Sequence, residues 1–407
     1  MSRMPCLDPA RLLFVHSSDE LYGSDTVLLE LVRRLDPKLF RPMVALPSDL
    51  PYSGALSAEL ARLGVHCEHI DFAVLRRRHL RPSGLPHLLS RLVRGTRELV
   101  RLIERERVDL VHCNTSAVWG GVLAAKLTRR PLVWHIHEII TRPLLVRKLT
   151  ALLATSLSDT VVAISAAVSD HLLLDRPMAM AKIVVIPDGV DTGRFHPQLD
   201  GSPIRQELGL SAANILVGFV GRIHTWKGQD LLVEAARDVV AETPEVHFAI
   251  VGDIVPGQPE PRRKVEELIY QWNLGEHVHL LGFRREMAQV MAALDILVLP
   301  SKLPEPFGMV LLEGMAAAVP VVAAAHGGPL EIVIDEQTGL LVPPNDASAL
   351  ADAIRRLATD AEARTRMGSA GRRRVEAQFD VDRNVRRFQG LYCDLLSATG
   401  SNSTSRS

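Results

Sequence analysis

The chain has no net charge: lysine plus arginine and aspartate plus glutamate each total 47 among 407 residues. A protein without a global positive excess lacks the pull by which nucleic acid is held non-specifically, so no nucleic-acid partner is expected. Cysteine is scarce. Cys6, Cys67, Cys113 and Cys393 lie far apart with no CxxC pair, which excludes a dense disulfide framework and fits buried or incidental thiols in a reducing compartment. Long apolar runs are also missing. The first run, Leu12-Leu13-Phe14-Val15, is sized for a strand and not for a signal segment or a span, so neither export nor membrane crossing is expected. Nor does G-x-G-x-x-G follow that run. Ser17 to Gly23 stands there instead, which argues against a dinucleotide-dependent oxidoreductase.

What is present is an ordinary globular composition, 47% apolar and 23% charged, on a chain long enough for two or three domains. Short β-branched or aliphatic runs alternate with longer helical patterns, the mark of an α/β protein whose parallel sheets are covered on both faces. The first half predicts strands at Arg11–Val15, Arg41–Leu46, Val65–Ile70, Leu110–His112, Leu132–His137, Thr160–Ile164 and Ile183–Ile186, with helices such as Ser24–Leu35 and Leu85–Glu106. Turn chemistry at Pro187–Pro197 then interrupts the alternation and reads as a linker. The pattern restarts at Ile215–Val220, Val246–Val251, Val278–Leu280, Ile296–Leu299, Val319–Ala323 and Leu340–Val342. The expected organisation is an N-terminal domain over 1–190, a second over 191–375, a helix over 376–396 packing back on the first, and a Ser/Thr/Asn-rich disordered tail over 397–407. Two such units predict a ligand cleft where the carboxyl ends of both sets of strands meet.

The segment Pro300-Ser301-Lys302-Leu303-Pro304-Glu305-Pro306-Phe307-Gly308-Met309-Val310 carries the most chemistry. A strand ends at Pro300, prolines hold a loop, and a helix is predicted from Phe307 or Gly308. The first amides of such a helix have no intrahelical acceptor, and its end carries roughly half a positive charge, so it suits a phosphate or a sugar oxygen. Glu305 precedes that terminus and Glu313 lies in the second helical turn. Carboxylates accept from vicinal hydroxyls, although acids near a helix start also occur simply as solvated groups. Gly221-Arg222-Ile223-His224-Thr225-Trp226-Lys227-Gly228 follows another strand and brings two cations to its carboxyl end. Fixed cations there would stabilise a diphosphate leaving group.

Together these residues resemble the family 4 glycosyltransferases. Glu305…Glu313, eight positions apart with Phe307-Gly308 between, is similar to that family's E-x7-E signature, and Gly221-Arg222…Lys227-Gly228 to its phosphate clamp. The likeness continues through Val251-Gly252-Asp253, Leu281-Gly282-Phe283, Gly327-Gly328-Pro329-Leu330-Glu331 and Thr338-Gly339-Leu340-Leu341-Val342. It implies a GT-B fold, two Rossmann-like parallel-sheet domains facing across a cleft. It implies, too, a retaining, metal-independent transfer of a hexose-type sugar from a UDP- or GDP-linked donor to a glycan or lipid-linked acceptor, with no cofactor and no metal site. By the same resemblance Arg222 and Lys227 bind the diphosphate, Glu305 the transferred sugar and Glu313 the ribose. Amides of Phe307, Gly308, Met309 and Val310 complete the cradle, the base rests near Arg284, and His137 touches the donor sugar near the reacting carbon.

The first half matches more loosely. Tyr22-Gly23-Ser24 stands where the family has a Gly-Gly turn at the diphosphate, so Gly23 matches and Ser24 departs, its hydroxyl reading more readily as a helix N-cap. His135 and His137 share one strand face. A metal pair is disfavoured because no third ligand stands at a recognisable spacing. His135 is expected to be a packed or hydrogen-bonded strand residue, and His16 and His112, also at strand ends where they could line the cleft, are expected by default in the core or at the surface.

Basic residues concentrate at Arg76-Arg77-Arg78-His79, Arg81, Arg91, Arg94, Arg97, Arg101, Arg105 and Arg107, and again at Arg142-Pro143-Leu144-Leu145-Val146-Arg147-Lys148-Leu149. Anionic lipid attracts such segments at about 1 kcal/mol per residue, which suits a cytoplasmic protein visiting the inner membrane face, though solvated Arg-rich helices look the same. A glycosidase would need its two acids facing each other across the scissile bond at ~5–10 Å, whereas these bracket a helix terminus. A nucleotide-sugar 2-epimerase of the same architecture lacks its signature acids here, and a silent sugar-binding protein would not need all of Arg222, Lys227, Glu305 and Glu313.

Overall fold

A computed structural model describes residues 8–49, 54–76, 84–255 and 257–404. The chain forms two compact units: Met1–Asp188 together with Asp382–Ser407, and Gly189–Val381.

In the first unit seven parallel strands, β1 (Ala10–His16), β2 (Phe40–Pro47), β3 (His66–Ile70), β4 (Leu110–Asn114), β5 (Leu132–Ile136), β6 (Thr160–Ala163) and β7 (Ile183–Val185), stand in the order β3-β2-β1-β4-β5-β6-β7. Helices cover both faces, which is why Leu12 to Val15, Leu110 to Cys113 and Leu132 to Ile136 are unbroken buried runs rather than alternating ones. The strand order reverses between β1 and β4, and ligands of such sheets bind outside the carboxyl ends at that point. His16 and Asn114 are the last residues of those two strands and face each other in register.

The second unit repeats the plan with β8 (Ile215–Val220), β9 (Val246–Val251), β10 (Val278–Gly282), β11 (Ile296–Leu299), β12 (Val321–Ala324) and β13 (Gly339–Val342), ordered β10-β9-β8-β11-β12-β13. Every strand read from the sequence is present. Their ends move by one or two residues, as at β4, which runs on to Asn114.

The last two helices, Ala361–Gln378 and Val381–Thr404, are separated at Phe379-Asp380. There Val190 N–H donates to Phe379 O at 2.9 Å and Val381 N–H to Val190 O at 3.1 Å, a short parallel pairing that diverts the chain. The final helix belongs to the first unit. Its Phe388 and Tyr392 are fully buried, with Tyr392 edge-on to Phe14 and Phe40 and its hydroxyl 2.7 Å from His112 Nδ1. The tail expected from Ser397 is helical as far as Thr404. Extending a helix already nucleated needs only one more hydrogen bond per residue, so serine, threonine and asparagine continue it despite their modest propensity.

Candidate active site

The second unit builds its site from two strand-to-helix turns. After β8 the chain passes through Arg222 to Lys227 and Gly228, which sits at φ +81° where a Cβ would lie 2.0 Å from the carbonyl oxygen of Pro300. Only glycine lets these two turns close on each other. After β11, Pro300 to Glu305 leads to Gly308 at φ +104°, the N-cap of helix Met309–Ala316. No side chain caps that helix. Its first amides thus keep the donor capacity that the sequence predicts, with the helix starting one to two residues later than expected.

Lys227 and Glu305 meet in this junction. The Lys227 ammonium lies 2.9 and 2.8 Å from the two Glu305 oxygens and 4.2 Å from the Trp226 ring centroid, and Ser301 Oγ donates to Glu305 Oε2 at 2.7 Å. Glu305 is only 6% exposed, so its charge needs that cation close by. Backbone bonds from Lys302 N–H to Trp226 O (2.7 Å) and from Gly328 N–H to Glu305 O (2.8 Å) fix the loop on both sides. Arg222 is half-buried in the same turn, its carbonyl accepting from Gln229 Nε2. Arg284 is engaged by carboxylates: Glu207 in a two-pronged pair and Glu286 at 3.3 Å.

Glu313 has a different environment. Burial lifts its carboxyl to about 7, with Arg194 acting the other way. The folded state thus holds a proton that the unfolded chain releases above its ordinary 4.5. Stability from this group is full below that value and is lost as pH rises through about 7. Glu313→Gln should therefore melt higher than wild type above about pH 8 and alike below about pH 4, which thermal melts across that range would measure.

In the first unit the structure corrects the role of Ser24. Helix Gly23–Arg34 is entered from Tyr22, whose N–H donates to Asp25 Oδ2 at 3.0 Å. Ser24 lies inside the first turn, and the carboxylate one residue on serves the helix start instead. Gly23 opens that helix, where a Cβ would meet nothing within 4 Å. Sequence reasoning missed what lies beneath. His16, Asp25, Asn114, His135 and His137 are all buried and form one polar cluster. His137 Nε2 is 2.9 Å from Asn114 Oδ1 and 3.2 Å from His135 Nδ1, the two rings 4.1 Å apart. Burial holds His112 and His137 down to about 3, aided at His112 by His137 and His16 and at His137 by His16. Both are neutral imidazoles at any working pH. Asp188, distant in sequence, completes a group with His135 and His137 whose ligand-type atoms all fall within 4.8 Å. Burial lifts the Asp188 carboxyl to about 8.

The basic stretch is less uniform than its composition. Arg77, Arg78, His79 and Arg81 lie outside the described residues. Arg91 points inward, 3% exposed, held by Asp71 (2.7 Å), Asp49 (2.8 Å) and the Phe72 carbonyl (3.0 Å). A guanidinium with three such acceptors packs against the sheet, so it is no part of a solvated face. Arg94, Arg97 and Arg101 are exposed. No described helix is long and apolar enough to cross a membrane.

Two family models match the chain in succession: one described as Glycosyltransferase Family 4 over residues 22–194, the other as Glycosyl transferases group 1 over residues 201–374. The chain is 32% identical over 242 residues to the D-inositol 3-phosphate glycosyltransferase of Xylanimonas cellulosilytica. That alignment covers 58% of this chain and 57% of the relative, so the chain spans little more than half of its length. To the UDP-Gal:alpha-D-GlcNAc-diphosphoundecaprenol alpha-1,3-galactosyltransferase of Escherichia coli it is 26% identical over 313 residues, 73% of this chain and 78% of that one. Among solved structures, Anabaena HepE in complex with UDP and glucose is similar with a TM-score of 0.80 at 27% identity, covering 94% of this chain and 99% of that chain. With both parallel-sheet units matched, the chain belongs to the family 4 glycosyltransferases and has their GT-B fold.

Proposed function

We propose that this protein is a retaining glycosyltransferase that moves a hexose-type sugar from a UDP- or GDP-linked donor to a glycan or glycolipid acceptor without a metal. The observation that carries the reading is the part-buried Lys227–Glu305 pair beside an uncapped helix start. A lone buried carboxylate would repel an anionic donor. Neutralised by Lys227, Glu305 can accept from sugar hydroxyls, while the ammonium keeps one N–H for a phosphate oxygen. Arg222 and the amides of Phe307 to Val310 take the remaining diphosphate charge, the family resemblance adds Gly23 and Ser24 to the diphosphate contacts, and Glu313 accepts from the ribose. His137 borders the reacting carbon. As the bond from the anomeric carbon to phosphate oxygen breaks, the acceptor hydroxyl oxygen bonds to that carbon on the same face and its proton passes to the departing phosphate oxygen. The products are a glycoside and a nucleoside diphosphate, and no side-chain nucleophile is needed. The named UDP complex of the Anabaena protein supports a uridine donor over a guanosine one.

The test is a thermal-shift titration with UDP and with GDP in excess EDTA. A ligand at 100 times its Kd should add about 2.7 kcal/mol of stability. One nucleotide stabilising the wild type and not Arg222→Ala/Lys227→Ala identifies the donor class, whereas no shift across a wider nucleotide panel overturns the assignment. Because an ionised Glu313 accepts from ribose hydroxyls more strongly than a protonated one, nucleotide affinity should rise as pH rises through about 7 and flatten in Glu313→Gln.

The acceptor side of the proposal places the protein in the cytoplasm, visiting an anionic membrane surface. Helix Leu144–Leu157 exposes Leu145 (75%), Leu144 (57%) and Leu152 (41%) beside Lys148, an apolar edge with cationic flanks. Co-sedimentation with vesicles containing anionic lipid should be seen at low salt, weaken at about 0.5 M salt, and fall in Leu145→Glu. Failure to pellet with such vesicles at low salt removes the membrane from the proposal.

A further inference from the structure

The polar cluster under the carboxyl ends of β1, β4 and β5 has a direction. Asp25 accepts from the Tyr22 N–H at 3.0 Å and from Ser18 Oγ at 2.5 Å, and its Oδ1 lies 2.8 Å from His16 Nε2. A carboxylate only accepts, so the proton of His16 sits on Nε2. Its Nδ1 then carries the lone pair, and the nearest group to it is the Asn114 amide nitrogen at 2.9 Å, closer than the Asn114 carbonyl oxygen at 3.3 Å. With its NH2 committed to His16, Asn114 turns Oδ1 to His137 Nε2 at 2.9 Å. That oxygen can only accept. The proton of His137 therefore sits on Nε2, and Nδ1 is left as an acceptor, with Asp188 Oδ2 3.9 Å away.

We propose that Asp25, His16 and Asn114 are positioning residues that fix His137 as its Nε2–H tautomer, so that Nδ1 can accept a hydrogen bond from a hydroxyl of the transferred sugar. This rests on the reading of His137 as the residue beside the reacting carbon. The chemistry gives the wiring a purpose. Positive charge develops on the sugar as the leaving group departs, and an imidazolium next to it would oppose the reaction, whereas a neutral ring with its lone pair outward does not. Each link is buried, so no water can substitute for a missing partner at low cost. Among the described residues, the titratable groups facing His137 from its neighbours are His135, His112, His16, Asp25, Asp188 and Glu138.

The experiment is 15N-histidine NMR on the full chain, with His137 assigned by its loss in His137→Gln. Wild type should show a protonated Nε2 and an unprotonated Nδ1, unchanged from about pH 5 to about pH 9. Asn114→Asp removes the donor to His16 and adds a negative charge beside His137. The ring should then become cationic at mildly acidic pH, and kcat should fall about tenfold or more near pH 6 with the donor KM within about twofold. Asp25→Asn should disturb the same resonances. A wild-type His137 protonated on Nδ1, or His137 signals unmoved in both variants, overturns the proposal. The expected tautomer together with full transfer activity in His137→Ala overturns the sugar-contact reading and the purpose assigned to the wiring, while the hydrogen-bond line itself would stand.

Discussion

Replacing Lys227 by methionine should lower kcat by about 10²–10³-fold, the usual cost of removing one preorganised charge from a site where negative charge develops. The effect should fall on kcat more than on KM, because the demand for the ammonium grows as the phosphate oxygen takes up charge. The same substitution carries a stability penalty. It strips Glu305, 6% exposed, of its only described ion-pair partner and leaves the carboxylate with Ser301 Oγ. Removing one member of a buried pair typically costs ~3–5 kcal/mol, and with Lys227 19% exposed the lower end applies, about 3 kcal/mol. Lys227→Met/Glu305→Gln should recover most of that stability and none of the activity. Denaturant unfolding and steady-state transfer on the three variants separate the two effects, and a single mutant with unchanged kcat would remove Lys227 from the donor site.

Tyr392→Ala should destabilise the first unit by ~3–5 kcal/mol through the cavity it leaves, and further because His112 loses its partner. Tyr392→Phe keeps the ring packing on Phe14 and Phe40 and removes only the hydroxyl, at a cost of about 1–2 kcal/mol. The contrast is readable in a chemical melt followed by a probe in the first unit, since two units need not unfold together. Equal, small effects from both substitutions would mean that the last helix contributes little to that core.

The parts of this molecule that were legible in its sequence are those whose physics is local. Most of the strands show as apolar runs because parallel strands buried on both faces have no reason to alternate, whereas the edge strand β3, His66-Cys67-Glu68-His69-Ile70, is only partly buried and carries polar residues. The donor side is legible for a related reason: the acids, the glycines and the helix start lie within two short stretches, each a single strand-to-helix turn. What escaped depends on pairs far apart in the chain. His16 and Asn114 are 98 residues apart, Asp188 meets His137 from the end of the last crossover, and Arg91 finds Asp49 and Asp71 behind a helix that composition alone paints as a basic surface. One signal was available. Polar residues stand at or just past the carboxyl ends of β1, β4 and β5, next to the point where strand order reverses, and three such residues buried together can bond with one another.

The place of Phe388 and Tyr392 in the chain also sets the order in which the molecule can be made. Gly189–Val381 is a continuous stretch that emerges whole and can close its sheet as soon as it is translated. The sheet that precedes it must wait, because two of the large rings that seal its floor over Phe14, Phe40 and His112 arrive only with the final helix. During synthesis the older half is therefore the unfinished one, with an apolar patch open to chaperones until the last few turns of helix are delivered.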